Sequence, residues 1–354
     1  MIRFIDINHS DEWDSLVRTL QNYDIYYLSG YVKAFKLHGD GEPTLVWWED
    51  DRLRGACVIM IRDVADDKRF SQLEHGKYFD AVTPYGYGGF IFSDIPTDEE
   101  QLILSHEFSD ALKSCSIISV FFRFHPVLAN AQYSRQLCDV YDLGKTISLD
   151  LSDADTIWSN ITSKNRNVIR KAEKSGVEIH HGKGIDLLMQ FKEIYNETMR
   201  GDNAEEYYYF GDKFYQSIAD DLKDNYEVFY ATLDDRIISI AIFIFANGKL
   251  HYHLSGSLRE FRSYAPSNLL LYKVALWGME HGYSTFHLGG GVGSGEDPLY
   301  KFKAAFNRNS DNQFSIGKLI VDNAEYQKLV AIRQQDQDFD VASNYFPLYR
   351  TMKL

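Results

Sequence analysis

Two stretches of this sequence carry residue types at spacings that could do chemistry. In Ser163-Lys-Asn-Arg-Asn-Val-Ile-Arg-Lys-Ala-Glu-Lys-Ser-Gly176, Arg166, Arg170 and Lys174 recur at intervals of four, while Ile161, Val168, Ile169 and Ala172 fall on another helical face. Lys164 to Lys174 holds five basic residues and one acid, a local +4 in a chain of −14. Such a face is either simply solvated or a landing site on which Lys164, Arg166, Arg170 and Lys174 meet the phosphates of a cofactor, a nucleotide sugar or RNA. The second stretch is Leu288-Gly-Gly-Gly-Val-Gly-Ser-Gly-Glu-Asp-Pro-Leu-Tyr-Lys-Phe-Lys-Ala-Ala-Phe306. It predicts a strand that ends in glycines, then a helix with Asp297 as N-cap and Pro298 at its first position. At Gly290 and Gly291 the backbone N–H groups can approach a ligand closely, and a helix start favours negative charge. The spacing is neither G-x-G-x-x-G nor G-x-x-x-x-G-K-[ST], which excludes dinucleotide and P-loop readings. Leu299, Phe302 and Phe306 form a core stripe. Lys303 beside it, at the mouth of the glycine loop, is placed to stabilise developing negative charge.

Something must position these two stretches, and an internal repeat says what. Thr44 to Ile61 reads as strand, Asp-Asp turn, strand, and Val228 to Phe245 repeats that plan 184 residues later, with Asp50-Asp51-Arg52 lying on Asp234-Asp235-Arg236. An apolar helix follows each hairpin, Glu99 to Lys113 and Pro266 to His281, and each helix leads into another strand, Ile117 to Phe124 and Thr285 to Leu288. The second copy continues through an Asn247-Gly248 turn into Lys249 to Leu254, and helices are expected over about 163–175, 185–199 and 213–222. The expected fold is α/β with a mixed sheet, two copies of one unit joined near residues 143 to 152, giving domains at 1–146 and 147–354. Antiparallel meanders exclude a TIM barrel and a plain Rossmann fold.

The chain's 354 residues allow a sizeable core, and its 45% hydrophobic and 25% charged residues are those of an ordinary globular protein. Aromatic residues are abundant, 24 Tyr, 23 Phe and 5 Trp, which suits either an aromatic core or clefts that hold polar, extended ligands. Net charge of −14 opposes a role as a nucleic-acid or anionic-membrane coat. Cys57, Cys115 and Cys138 are odd in number and widely spaced, so neither a disulfide framework nor a metal site is expected. The opening residues lack a basic and an apolar region of signal-peptide type, and the longest apolar run, Ile237 to Ala246, is too short to span a bilayer. The expectation is a cytoplasmic protein with no integral membrane segment.

Three ordered motifs give the chain a resemblance. Ser-Lys-x-Arg-x-x-Ile-Arg-Lys-Ala-Glu-Lys-x-Gly-Val at 163–177, His-Leu-Gly-Gly-Gly at 287–291 and Asp-x-Leu-x-x-Phe-Lys-x-x-Phe at 297–306 resemble the FemABX family, as does Thr83-Pro-Tyr-Gly-Tyr-Gly-Gly-Phe90 in the first half. Those proteins are aminoacyl-tRNA-dependent transferases of peptidoglycan cross-bridge synthesis, related to GNAT-type acyltransferases. The resemblance implies tandem GNAT-like domains, in agreement with the repeat. It implies that Lys303 contacts the acyl donor or stabilises the oxyanion. It also implies that Arg200, one of Tyr207 to Tyr209 with Tyr208 central, Tyr252, Phe302, Tyr85 and a lysine at 33 or 36, taken as Lys36, meet the acceptor. No sustained heptads lie between Gly176 and Glu227, so the long coiled-coil arm of some cross-bridge enzymes is not expected. Where a GNAT enzyme would carry Arg/Gln-x-x-Gly-x-Gly/Ala, this chain has Arg262-Ser-Tyr-Ala-Pro-Ser267, without glycines and with a proline that has no N–H to offer a pyrophosphate.

The leading expectation is therefore an acyltransferase moving an aminoacyl group from aminoacyl-tRNA to an amine of a peptidoglycan-precursor-like acceptor, with tRNA as partner and no tightly bound cofactor. One alternative keeps the fold and takes acyl-CoA as donor to a small amine or amino sugar. Another is a binding protein that has lost its activity. No general base stands out among Glu296, Asp297 and His253.

Overall fold

The computed structural model describes residues 1–353 and divides them into two compact units. Met1–Leu143 together with the chain from Phe314 onward makes the first, and Gly144–Gln313 the second. The elements of the first stretch are β1 (Ile2–Asp6), α1 (Ser10–Val17), α2 (Ser29–His38), β2 (Glu42–Glu49), β3 (Arg54–Asp63), β4 (Phe79–Val82), β5 (Ile91–Phe92), α3 (Asp98–Ser114), β6 (Ile117–Arg123) and β7 (Asp139–Asp150), which crosses the boundary. The second unit adds α4 (Ala154–Asn160), α5 (Ser163–Lys174), β8 (Glu178–Gly182), α6 (Ile185–Gly201), α7 (Asp212–Asp221), β9 (Tyr226–Leu233), β10 (Arg236–Ala246), β11 (Lys249–Ser257), α8 (Pro266–Glu280), β12 (Thr285–Gly289) and α9 (Pro298–Ala304). The chain then returns through β13 (Asn312–Ile320) and α10 (Asn323–Arg333).

In the first unit the strand order is β1-β2-β3-β4-β6, with β5 also on β3 and β13 antiparallel to β6. In the second it is β7-β12-β11-β10-β9-β8, antiparallel except for the parallel β11–β12 pair. The mixed α/β sheets and the duplicated hairpin-helix-strand plan are thus as the sequence led one to expect. The two Asp-Asp turns are built differently, however. Asp234 and Asp235 both take left-handed backbone (φ 49° and 61°) in a two-residue hairpin, whereas the Asp50 carboxylate closes a longer loop by accepting from the amides of Arg52 and Leu53.

The expected boundary, 1–146 and 147–354, differs from this division in two respects: residues 144–146 fall in the second unit, and the residues from 314 onward belong to the first. Strand pairing and a buried ionic cluster hold them there. Ile316 to Ile320 pair with Arg123 to Ser119, and the Tyr349 ring is fully buried against Phe70 and Tyr326. The Asp80 carboxylate, with no exposure, accepts from Arg62 Nε at 2.7 Å, Arg350 Nε at 2.6 Å and Tyr349 Oη at 3.0 Å. Desolvation would raise the pKa of Asp80, but Arg62 and Arg350 outweigh it and hold the carboxyl below the usual carboxylate range. Most of the aromatic excess is core: Trp13, Trp47 and Trp48 are fully buried in the first unit, and Phe229, Phe243 and Phe286 pack beneath α8 in the second. Among the described residues no helix is long and apolar enough to cross a membrane.

Candidate functional site

The glycine-rich stretch of the second unit folds as its residue types dictate. β12 ends at Gly289, which turns the chain with φ 77°. Asp297 caps α9 as expected: one carboxylate oxygen accepts from the Tyr300 amide at 2.7 Å and the other from the Val292 amide at 2.6 Å, so the same side chain starts the helix and holds the loop closed. A Cβ at Gly291 would fall on that carboxylate and lie 2.7 Å from the Gly295 carbonyl oxygen, so the loop needs glycine there. Those backbone hydrogen bonds, the one from Tyr300 first, hold the Asp297 carboxyl below its ordinary range.

Lys303 lies one turn and a half into α9. Its Nζ donates to the Gly290 carbonyl oxygen at 2.8 Å and stands 6.0 Å from the centre of the Tyr252 ring. Burial pushes its pKa down to about 8, with the Asp297 carboxylate pulling the other way. The amine is therefore mostly charged at neutral pH yet poorly hydrated, a condition in which its field acts strongly on a nearby oxyanion. Tyr252 is fixed in turn by stacking on Phe243 (5.6 Å, 26°), and Phe302 packs edge-on to the buried Phe306 (5.6 Å, 77°). Lys303, Gly290 and Tyr252 are thus brought together, whereas Phe302, the chain neighbour of Lys303, packs on the core.

A β-bulge decides what shares this face. Phe243 pairs with Tyr252 but Ile242 pairs with Leu254, leaving His253 as the extra residue of β11. Beyond it, Leu254 and Gly256 turn to the opposite face, where α6 packs so closely that a Cβ at Gly256 would lie 2.8 Å from the Tyr195 backbone. Arg200, exposed in the last turn of α6, lines a cleft of about 470 Å³ on that side together with Glu193, Asn196, Glu197 and Arg236. Tyr208 follows in a single turn of 3₁₀ helix, edge-on to Tyr207 at 5.5 Å. The structure does not gather Arg200 and Tyr208 around Lys303. Among the described residues no strong base appears near Lys303 either. Burial, and His251 after it, push the His253 pKa down to about 3, which leaves a neutral and feebly basic imidazole.

The basic helix is α5, with Asn165, Ile169 and Ala172 buried beneath it. Its start is tied to the end of the Lys303 helix: the Thr162 amide donates to the Ala305 carbonyl at 3.0 Å, and the Asn165 side chain links that carbonyl (3.4 Å) to Asn268 on α8 (2.7 Å). Lys164, Arg170 and Lys174 are exposed. Arg166 has a different task from the one its spacing suggests. Its Nη1 donates to the carbonyls of Trp158, Ser159 and Ile161 at 3.2, 3.4 and 2.9 Å and so closes the C-terminus of α4. Trp158 and Tyr272, two aromatic residues the sequence did not single out, lie beside this face. Both are half-buried, with ring centres 4.9 Å apart. They sit on α4 and α8, more than a hundred residues apart in the chain, so no local pattern could have joined them.

In the first unit, Lys36 is half-buried and ion-paired with Glu42 at 2.6 Å. The Tyr85 ring stacks on Phe35 (5.3 Å, 16°), and its carbonyl accepts from the Tyr31 hydroxyl at 2.7 Å. Phe35 thus joins these two expected acceptor-binding positions, as the ring under Tyr85 and the chain neighbour of Lys36.

Comparison with known proteins adds independent observations. A family model described as an acetyltransferase (GNAT) domain matches residues 160–303, from just before the basic helix to Lys303 itself. The chain is 24% identical over 323 residues to a Weissella viridescens protein named UDP-N-acetylmuramoylpentapeptide-lysine N(6)-alanyltransferase, covering 83% of this chain and 89% of that one. Among solved structures it is similar to FemX, with TM-score 0.68 and 16% identity over 92% of this chain and 99% of that one. It is also similar to a Bacteroides thetaiotaomicron protein of unknown function, with TM-score 0.56 and 11% identity over 90% and 100%.

Proposed function

We propose that this FemABX-like transferase, built on GNAT-like folds, moves an aminoacyl group from aminoacyl-tRNA to a primary amine of a peptidoglycan precursor. In the reaction the amine nitrogen bonds to the carbonyl carbon of the aminoacyl ester, the ester C–O bond breaks, and the proton lost by the amine ends on the departing ribose oxygen. The charge that develops on the carbonyl oxygen is met by the Lys303 ammonium. The observation that carries this reading is the lysine's setting: a buried-side amine on the Gly290 carbonyl, its pKa lowered to about 8, at the end of a segment that matches the acetyltransferase domain. With no strong base near it among the described residues, proton removal falls to water or to the substrate's own groups.

Lys164 and Lys174 would hold donor phosphates, with Arg170 as a further contact to the donor and Arg166 as the brace that fixes the helix. Tyr252, the expected acceptor-binding tyrosine that stands beside Lys303, would meet the acceptor. The tRNA donor is favoured over acyl-CoA by the start of α8. Ala265 sits in left-handed backbone, Pro266 has no N–H, and the Asn268 amide donates to the Ala265 carbonyl at 3.2 Å, so this helix start offers little to a pyrophosphate. The test is transfer of radiolabel from alanyl-tRNA, compared with acetyl-CoA, onto a UDP-muramoyl pentapeptide. Label arriving only from the charged tRNA is the expected result; label arriving only from acetyl-CoA would replace this reading by the acyl-CoA one.

A further inference from the structure

Arg170 is the basic residue of α5 whose surroundings least resemble a phosphate grip. Its guanidinium carbon lies 5.0 Å from the centre of the Trp158 ring, and the Tyr272 ring packs against Trp158 at 52°. Its one hydrogen bond among the described residues is a long one, 3.3 Å, to the Asn167 side chain. Arg166 also faces Trp158, at 6.0 Å, but its three backbone carbonyls hold it in place. Glu173, the only acid on this helix, is taken up by Lys273 at 2.7 Å, so nothing on α5 cancels the charge of Arg170. Lys174 stands one turn further along the same side, exposed.

A planar cation over an indole that itself packs on a tyrosine, exposed and flanked by a lysine, has the make-up of a surface on which a nucleobase stacks while its phosphate meets the ammonium. We propose that Arg170, supported by Trp158 and Tyr272, is a stacking platform for the adenine of the donor. The inference rests on the donor reading above, since adenine can come from the 3′-terminal nucleotide of a tRNA or from the nucleotide half of CoA. Its place in the fold suits the donor, because the start of the same helix is bonded to Ala305, two residues beyond Lys303.

The test measures binding, without turnover, of a short oligoribonucleotide ending in adenosine, of the same oligonucleotide with an abasic 3′ end, and of CoA. Wild-type protein should prefer the adenosine-ended strand over the abasic one by about 5- to 150-fold. Arg170→Lys keeps the charge but loses the plane, and should reduce that preference to less than about 2-fold while leaving affinity for the abasic strand unchanged. Trp158→Leu should do the same, and Lys303→Ala should keep the preference. Equal binding of the two strands by wild type, or an undiminished preference in Arg170→Lys, overturns the platform even if transfer from alanyl-tRNA is observed. Arg170-dependent binding of CoA with none of the oligonucleotide supports the platform and overturns the tRNA donor instead.

Discussion

The protonation state of Lys303 gives the proposed reaction a pH dependence whose shape can be worked out beforehand. The acceptor amine must be unprotonated, and with an ordinary pKa of about 10.4 its reactive fraction rises tenfold per pH unit through the neutral range. Lys303 must be protonated to meet the oxyanion, and burial sets its pKa at about 8. Below pH 8, kcat/KM for the acceptor should therefore rise with unit slope. Above it the two trends cancel, and the profile should flatten, since kcat/KM reports groups of the free enzyme and free substrate. In Lys303→Arg the cation does not titrate in this range, so the unit slope should continue, a rise of about 30-fold between pH 8 and 9.5 where wild type is level. Lys303→Ala should lose about 10²- to 10³-fold at pH 7, the cost of removing one oxyanion donor, and should also show no break. The assay is initial-rate transfer of labelled alanine with correction for spontaneous ester hydrolysis at each pH. A break near pH 8 that persists in both variants would refute the assignment, because another group would then own it.

Other expectations follow from the same geometry. Lys303→Met should raise stability toward urea at pH 7 by about 1 to 3 kcal/mol while abolishing transfer. Below pH 8 the folded state carries the full cost of a poorly hydrated ammonium, a cost relieved as pH rises through the lowered pKa, so the gain should shrink by pH 10. Asp80→Asn should destabilise the first unit by about 3 to 5 kcal/mol, since two arginines would lose their carboxylate in a buried place, and protease cleavage in the C-terminal segment reads this directly. With its pKa held low, the wild-type Asp80 carboxylate lends its stability above the usual carboxylate range and loses it as pH falls through that lowered value, so the same cleavage should appear in wild type on acidification. Gly291→Ala should displace Asp297 from the loop and lower transfer at least about tenfold with a stability cost of about 1 to 3 kcal/mol; full activity with normal stability would show that the loop yields freely.

The elements of this fold that could be read in the sequence are those that local chemistry decides. The Asp-Asp turns between alternating strands, Gly176 past the end of α5, and Asp297 with Pro298 at the start of α9 are signals carried within a few residues. The fate of the chain after Phe314 was not readable, because Ile316 to Ile320 would suit either sheet as a strand and only the partner, β6, decides. Arg166 shows the same limit at a single side chain. Its four-residue spacing from Arg170 correctly put it on the basic face, but its engagement with the end of α4 depends on how that helix packs. The bulge at His253 parts Tyr252 from the α6 face and could not be inferred from His-Tyr-His alone, since a bulge is a property of two strands together.

The return of the chain through β13 has a consequence for synthesis on the ribosome. The second unit is one unbroken stretch, Gly144–Gln313, and every residue it needs has been made once Gln313 emerges. The first unit begins earlier but lacks a strand, a helix and the Tyr349–Arg350 pair that shields Asp80 until residue 350 has been made. The half encoded first is therefore completed last: β6 must wait with an open edge while some 190 residues are added, and Asp80 has only Arg62 of its three partners until Tyr349 and Arg350 follow. A nascent chain stalled shortly after Gln313 should hold a protease-resistant second unit beside a first unit that is still sensitive.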